Sequence, residues 1–571
     1  MTAVKRVLAI DLGTSSVKVG LIGFDGRLAG WESEALPLHI LPDGGAEQAP
    51  ADWWRALVTA ARRLLAAHPD EARQVAAVCC STQGEGTVPV DRDGAPLMDC
   101  VLWMDMRGAA YLRRHFRGPL NLSGLSLLHL PRWIRLTGGM PSPTGKDPAA
   151  HMLLIRDAFP RVYERTYKFL NVPDYLNLRL TGRFAATPDS ILTSWITDNR
   201  DPDAIHYDPR LVADCGIDAD KLPQIVPCTE VLGRLTDEAA TAFGLSTAVQ
   251  VVAGSIDTTA AAVGSGAVED FATHLYLGTS SWMAAHVPFK KTDVRSRLAS
   301  VPCAVPGRYL MTALQATAGG NLTFLRDNIL YHEDELPADE RVPDVFKIFD
   351  RMAARVPAGS NGVIYTPWIW GERAPVDDPS LRAGLYNLSL DSTREDVVRA
   401  FLEGVALNGR WLLKPVRRFL GRPVEAMNLV GGGATSAVWC QIVADVLDVE
   451  VRQVKDAIQA NARGAAWIAS VGLGEISFAD VPRLVEFERV CEPDAAKRSV
   501  YDERFAAFLE IHRRMRPLFR RLNREASLQP QRRADGAATA ARITSHDAAD
   551  DDWGAASTTS TTAVRDPGGA P

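Results

Sequence analysis

Apolar positions follow two periods along this chain. Short, nearly continuous runs, Val7-Leu8-Ala9-Ile10 and Val75 to Cys80, predict strands buried on both faces. Val17 to Phe24 predicts a partner strand behind a turn, and Asp25-Gly26 leads into a third. From Asp52 to His68 the period becomes helical, with Trp53, Trp54, Leu57, Leu64 and Leu65 apolar, the two tryptophans reading as core. Strand and helix patterns continue to alternate, which predicts α/β layers. A second α/β half is expected from near Phe271, where Leu275-Tyr276 opens a further strand. Ser436 to Leu447 and Tyr501 to Leu522 predict helices, the latter charged and amphipathic. Residues 118–150, rich in Gly, Pro and Ser, predict an irregular insertion or loop rim. Beyond about Glu525 there is almost nothing to bury, so residues 523–571 are expected to form a disordered tail.

Composition narrows the class. A chain of 571 residues, 46% hydrophobic and 23% charged, is too long for one ordinary core. The net charge of −6 and the lack of a long basic run argue against a nucleic-acid partner. No segment approaches the roughly 20 apolar residues of a membrane span, and the first apolar run stops at Asp11. A soluble, cytoplasmic protein is therefore expected. The eight cysteines include no Cys-x-x-Cys and read as reduced core residues. A homodimer is admitted but not indicated.

Candidate chemistry starts from a repeat. Leu-Gly-Thr-Ser-Ser occurs at Leu12–Ser16 and again at Leu277–Ser281, each time after an apolar strand pattern. Glycine lets the backbone approach closely, and the following amides and hydroxyls aim donors at one spot, as a phosphate requires. Thr14, Ser15, Gly278, Thr279 and Ser280 are the candidate contacts. Asp11, at the strand end before the first turn, could cap that turn, but its position favours holding a hydrated Mg²⁺ on the β- and γ-phosphates. Lys18 could reach phosphate or be an exposed strand lysine. Val251 to Gly264 delivers Asp257 to the start of a small-residue helix. An N-cap is its default reading, yet phosphoryl transfer to an alcohol needs a carboxylate to accept the hydroxyl proton. Gly431-Gly432-Gly433 opens a further helix, where Gly432, Gly433 and Ser436 could meet a nucleotide. No Walker A loop is present: Gly139 to Lys146 is one residue too long and is followed by Asp147.

Taken together these segments resemble the FGGY family of carbohydrate kinases over roughly residues 5–515. Ala9 to Lys18 resembles its first phosphate segment and Tyr276 to Trp282 its second. Glu47-Gln48-Ala49-Pro50 with Trp53-Trp54 resembles an EQ-x-P…WW stretch, and Asp174-Tyr175-Leu176 with Leu180-Thr181-Gly182 a DYL…LTG segment. Gly371-Glu372-Arg373-Ala374-Pro375 resembles a GER-x-P loop. Gly431 to Ser436 resembles the adenosine segment, which Arg463-Gly464-Ala465-Ala466 completes. The resemblance implies an α/β fold of two actin/hexokinase-like (ribonuclease H-like) domains around a central cleft. Residues 1–266 would carry sugar, metal and the first phosphate segment, and residues 267–522 the second phosphate and adenosine segments. It implies ATP and Mg²⁺, with Asp257 as catalytic base.

Within the family the likeness is to xylulokinases, which implies phosphorylation of D-xylulose to D-xylulose 5-phosphate. The sugar segment departs from that pattern. Gln83-Gly84-Glu85-Gly86 stands where Gln-Met-His-Gly is usual, and Met104 replaces an asparagine in Trp103-Met104-Asp105-Met106-Arg107. Gln83, Glu85, Trp103 and Asp105, with Asp257, are the expected sugar contacts. Another ketose, a polyol such as glycerol or erythritol, or a sugar acid stays open as substrate. A non-sugar ATPase of the actin/Hsp70 kind is the remote alternative.

Overall fold

The computed structural model describes residues 5–118, 121–122, 125–126, 128–330 and 344–523. The tail expected to be disordered lies outside them from residue 524 onward. The fold is α/β with two domains, each built on one twisted mixed sheet.

The first sheet comprises β1 (Arg6–Leu12), β2 (Ser16–Gly23), β3 (Leu28–Ala35), β4 (Val75–Thr82), β5 (Val231–Arg234) and β6 (Gln250–Ile256), in the order β5-β6-β4-β1-β2-β3. β1, β4 and β6 run parallel; the others pair antiparallel. The second sheet comprises β7 (Thr273–Leu277), β8 (Ser281–Val287), β9 (Thr292–Asp293), β10 (Leu298–Pro302), β11 (Tyr309–Gln315), β12 (Ala426–Val430), β13 (Glu450–Val454) and β14 (Phe487–Cys491). Its order is β9-β10-β11-β8-β7-β12-β13-β14, with β7, β12 and β13 parallel. Six strands thus repeat in the same order and sense, from β5-β6-β4-β1-β2-β3 to β14-β13-β12-β7-β8-β11. The duplicated pentapeptide is the hairpin turn from β1 to β2 and again from β7 to β8.

Helices cover these sheets. α1 (Pro50–Ala67) buries Trp53, Leu57, Ala61 and Leu64 against the first sheet, a stripe at helical spacing. Each such large apolar side chain contributes about 1.5–3 kcal/mol when removed from water. α2 (Asp257–Gly264) follows the first sheet in sequence but packs Ala261 and Ala262 on Trp282, Ala284 and Leu310 of the second. α3 (Arg394–Leu420) and α4 (Ala437–Leu447) build the main core of the second half. α5 (Ala460–Gly472) follows the second sheet yet packs Ala465, Ala466, Trp467 and Ala469 on the first, against Val7, Ala9, Ala77 and Val252. α2 and α5 therefore exchange sides and cross each other between the two sheets. The terminal helix α6 (Arg498–Leu522) buries Tyr501, Phe508 and Phe519 against the second core.

The insertion between β4 and β5 corrects the expectation for residues 118–150. It includes a helix, Leu130–Leu136, whose Trp133 and Leu136 enter a third core with Leu112, Phe116, Leu153 and Leu154. The Gly, Pro and Ser around that helix mask its short apolar stripe. All eight cysteines are unpaired, and all but the half-buried Cys303 are buried. Among the described residues no helix is long and apolar enough to cross a membrane.

Candidate active site

Three parallel strands end side by side. Asp11 of β1 stands opposite Ser81 of β4, and Ser81 opposite Ser255 of β6. The chain leaves these ends as Gly13-Thr14-Ser15, Gln83-Gly84-Glu85 and Asp257, so distant residues meet at the carboxyl ends of parallel strands, where open α/β sheets bind ligands. The approach of β6 needs glycine at position 254: φ is +74° there, and a Cβ would lie 2.1 Å from the Cys80 carbonyl oxygen. Asp189, buried, accepts the Ile256 N–H at 3.0 Å and fixes the backbone just before Asp257. Asp257 is the first residue of α2, not its N-cap, and its Oδ1 accepts the Thr258 N–H at 2.6 Å.

Three carboxylates share this end of the sheet. Burial first, and then the Asp11 charge, push the Asp257 carboxyl up to about 7; Glu85 adds to the rise and the Thr258 N–H opposes it. Asp11 is also raised by burial, against Lys18, Asn461 and Ser81, which lower it. Lys18 lies opposite Asp11 in the β1/β2 register, half-buried, so it belongs to this electrostatic group. Ser81 Oγ and Asn461 Nδ2 each donate to Asp11 Oδ1 at 3.3 Å, and Asn461 reaches it from α5. Glu85 holds a left-handed φ of 63°, a conformation costing a non-glycine residue roughly 1–2 kcal/mol. Burial raises its carboxyl, while Arg373 and Lys146 lower it. Asp147 joins the group and is pushed up to about 7 by burial and by Glu85. Among the described residues no three His, Cys, Asp or Glu side chains form a cage for a metal.

Beside the carboxylates lies a closed hydrogen-bond ring. Gln48 Nε2 donates to the Thr14 carbonyl (2.7 Å), the Thr14 hydroxyl donates to Gln83 Oε1 (2.8 Å), and Gln83 Nε2 donates to Gln48 Oε1 (3.0 Å). The Trp103 indole N–H donates to the same Thr14 hydroxyl at 3.0 Å. The short strand Ala46–Gln48 anchors the ring and the loop after it: Ala46 N–H donates to Asp105 and Glu47 accepts from Arg107. Asp105 was expected to face the sugar. It is fully buried, and both its oxygens are engaged by Ala46 and Arg107, so in this structure it holds the loop that presents Trp103.

The second half supplies the opposite wall. Thr279 is exposed on the β7–β8 turn, whose carbonyls at Gly278 and Thr279 accept the N–H groups of Gly319, Ala318 and Gly320. The triglycine abuts it: a Cβ on Gly431 would lie 2.6 Å from the Leu277 oxygen, and one on Gly433 2.9 Å from the Leu277 side chain. Gly432 faces open space. Ser436, expected at the nucleotide, caps α4 by accepting the Trp439 N–H and donates to Asp350. Arg463 is likewise turned inward, donating to the Gly264 carbonyl at 3.0 Å. Arg373 comes from a loop pinned by Glu372, which accepts from Ala316 N–H, Asn408 and the Arg373 N–H.

Comparison with known proteins fits this duplicated frame. Residues 6–264 match the N-terminal domain of the FGGY family of carbohydrate kinases, and residues 274–473 match its C-terminal domain. The chain belongs to this family. A xylulose kinase of Staphylococcus epidermidis is 27% identical over 515 residues, 90% of this chain and 97% of that one. A gluconokinase of Bacillus subtilis is 24% identical over 475 residues, 83% and 89% of the two chains. The solved structure of a xylulose kinase from Rhodospirillum rubrum superimposes with a TM-score of 0.74 at 27% identity, covering 90% of this chain and all of that one. This FGGY chain is thus an ATP-dependent sugar kinase.

Of the expected site residues, Asp11, Thr14, Gln83, Glu85, Trp103 and Asp257 converge in the first half of the kinase. Gly278, Thr279, Ser280, Gly432 and Gly433 converge in the second. Asp189, Asn461 and Lys146 were missed; they act on the site from elements remote in sequence, and no local pattern marks them.

Proposed function

We propose that this kinase transfers the γ-phosphoryl group of ATP to a hydroxyl of an open-chain pentulose, D-xylulose giving D-xylulose 5-phosphate. The observation that carries the reading is Asp257 at the head of α2, its carboxyl held near 7 beside Asp11 and Glu85. Such a group can accept a hydroxyl proton at neutral pH once its neighbours' charge is balanced. Gln83, Glu85 and Trp103 would line the sugar, with Asp105 acting through the loop. The Thr14 hydroxyl is engaged by Gln83 and Trp103 and the Gly13 N–H by the Ser16 carbonyl, which leaves the Thr14 and Ser15 amides for phosphate. Thr279, Ser280 and the Gly432-Gly433 turn would receive phosphate and adenosine from the other side. We place the boundary between the two domains at residues 266/267, with α2 and α5 each packing on the sheet of the other domain.

Asp11 fits a hydrated divalent cation. It is a buried carboxylate among other carboxylates, with protein donors on one oxygen only in the described hydrogen bonds. Asp11 would hold Mg²⁺, which when bound neutralises charge on the β- and γ-phosphates. Asn461 and Ser81 orient that carboxylate, and Asp257 takes the proton from the attacking oxygen. Closure of the two halves excludes water that would otherwise consume ATP.

One observation favours a second substrate class. Lys146 and Arg373 both lie within electrostatic reach of Glu85, so two cations border the sugar segment. A carboxylate-bearing acceptor such as D-gluconate would find a partner there. ADP release over a panel of D-xylulose, D-ribulose, glycerol, erythritol and D-gluconate decides between them. The proposed reading expects the highest kcat/KM for D-xylulose; good turnover of another member with none of D-xylulose overturns it. Lys146→Met is expected to leave the KM for D-xylulose within about twofold and to raise that for D-gluconate about tenfold, as loss of roughly 1.4 kcal/mol of binding requires.

Adenosine placement has its own test. A Cβ at Gly432 meets nothing within 4 Å, and its φ is not left-handed. Gly432→Ala is therefore expected to leave stability within about 0.5 kcal/mol. If the nucleotide lies against this backbone, its KM for ATP should rise about tenfold with that for sugar unchanged.

A further inference from the structure

We infer that Gln48 is a positioning residue that ties occupation of the sugar pocket to the first phosphate turn. This rests on the proposed reading of Gln83 and Trp103 as sugar-lining and of the Gly13–Ser15 turn as phosphate-binding. Gln48 is 1% exposed. Its amide makes four hydrogen bonds. Nε2 donates to the Thr14 and Pro37 carbonyls at 2.7 and 3.0 Å, and Oε1 accepts from Trp53 Nε1 and Gln83 Nε2 at 3.1 and 3.0 Å. Trp53 Nε1 can only donate, so the orientation of the Gln48 amide is fixed. That orientation leaves Gln83 its Oε1 for the Thr14 hydroxyl and closes the ring.

The ring has a direction. The Trp103 indole donates to the Thr14 hydroxyl, that hydroxyl to the Gln83 amide, Gln83 to the Gln48 amide and Gln48 to the Thr14 carbonyl, and buried chains of this kind polarise one another along their length. A sugar hydroxyl that engages Gln83 or shifts Trp103 must redistribute the bonds on Thr14, and Thr14 sits on the phosphate turn itself. Strand alternation separates the duties of neighbouring residues: Glu47 faces Arg107 and the loop, while Gln48 faces the ring. Sugar binding at one end would thus order the phosphate donors at the other, by a coupling that must be reciprocal between the two ligands.

Gln48→Glu preserves shape and the two accepted bonds but sets a carboxylate against the Thr14 carbonyl. The measurement is the Kd of a non-hydrolysable ATP analogue with Mg²⁺, with and without whichever of D-xylulose and D-gluconate the parent turns over better. The parent is expected to bind the analogue at least about tenfold more tightly with sugar present, within the usual range of coupling. Gln48→Glu should bring that ratio to within twofold of one, with kcat/KM reduced through both KM values. Thr14→Val should do the same if Gln48→Glu does not fold, and Thr14→Ser, which keeps the hydroxyl, should restore the ratio. A purely structural glutamine would lower the melting temperature and leave the ratio intact, which overturns the inference, as does a parent whose ratio is one. Neither outcome touches the kinase reading, which fails instead if no panel sugar is phosphorylated.

Discussion

Asp257→Asn is expected to lower kcat for sugar phosphorylation by about 10²–10⁴-fold, the range that a positioned general base contributes. The substitution is nearly isosteric, and the amide oxygen can still accept the Thr258 N–H that the carboxylate accepts now. KM values for sugar and ATP should therefore change much less than kcat, the pattern of an interaction made chiefly in the transition state. The pH profile supplies a second readout. In the free enzyme Asp257 is pushed up to about 7, by burial and by Asp11. Only the ionised form can take a proton, so kcat/KM of the parent should rise with pH through about 7 and level off above it. Stability should move the other way. A carboxyl whose value is raised on folding binds its proton more tightly in the native state, so the stability it contributes falls as pH rises from the ordinary carboxylate value toward about 7. Asn carries no such charge. The variant should match the parent in melting temperature near pH 4 and exceed it at pH 8. A variant that keeps sugar-dependent ADP release within threefold of the parent would remove Asp257 from the chemistry.

What the chain reveals by itself follows from locality. β1, the hairpin turn after it and the strand leading to Asp257 are written in consecutive residues, and apolar runs stopped by Asp11 or by Asp257 are legible without a partner. The repeated pentapeptide marks equivalent turns because the six-strand order is itself repeated. The exchange of α2 and α5 is not legible in that way. Both helices are alanine- and glycine-rich, and small residues carry almost no amphipathic contrast, so neither declares which sheet it covers. The loop-holding contacts of Asp105, Ser436 and Arg463 are illegible for a related reason. A polar residue beside a ligand and one holding a loop have the same local pattern, and only burial with satisfied partners tells them apart. Gln48 is visible in the sequence as half of a Glu-Gln pair, but its ring closes through residues 34 and 35 positions away.

Gly464→Ala and Gly264→Ala are each expected to cost about 3 kcal/mol or more, at the upper end of what overpacking produces. The two helices cross through matching segments, Ala260-x-x-x-Gly264 and Ala460-x-x-x-Gly464. A Cβ on Gly264 would lie 1.8 Å from the Ala460 carbonyl oxygen, and one on Gly464 1.9 Å from that of Ala260. Both obstacles are backbone, so no side chain can rotate away and the helices must part. Parting moves the site as well as the core. α2 carries Asp257 at its first residue, and α5 carries Asn461, which donates to Asp11. A misplacement near 1 Å at reacting groups can cost about 10²-fold in rate, so kcat should fall further than the loss of stability alone accounts for. The double substitution separates this account from two independent clashes. Once one methyl has spread the crossing, the second meets space already opened, so the denaturation free energies should be clearly less than additive. Gly182→Ala controls for backbone strain: its φ is +75°, with no atom within 4 Å of the added methyl. It should cost only about 1–2 kcal/mol, the left-handed penalty itself, and leave kcat unchanged. Additive losses at Gly264 and Gly464, or costs no larger than that of Gly182→Ala, would mean that the crossing yields without parting the helices.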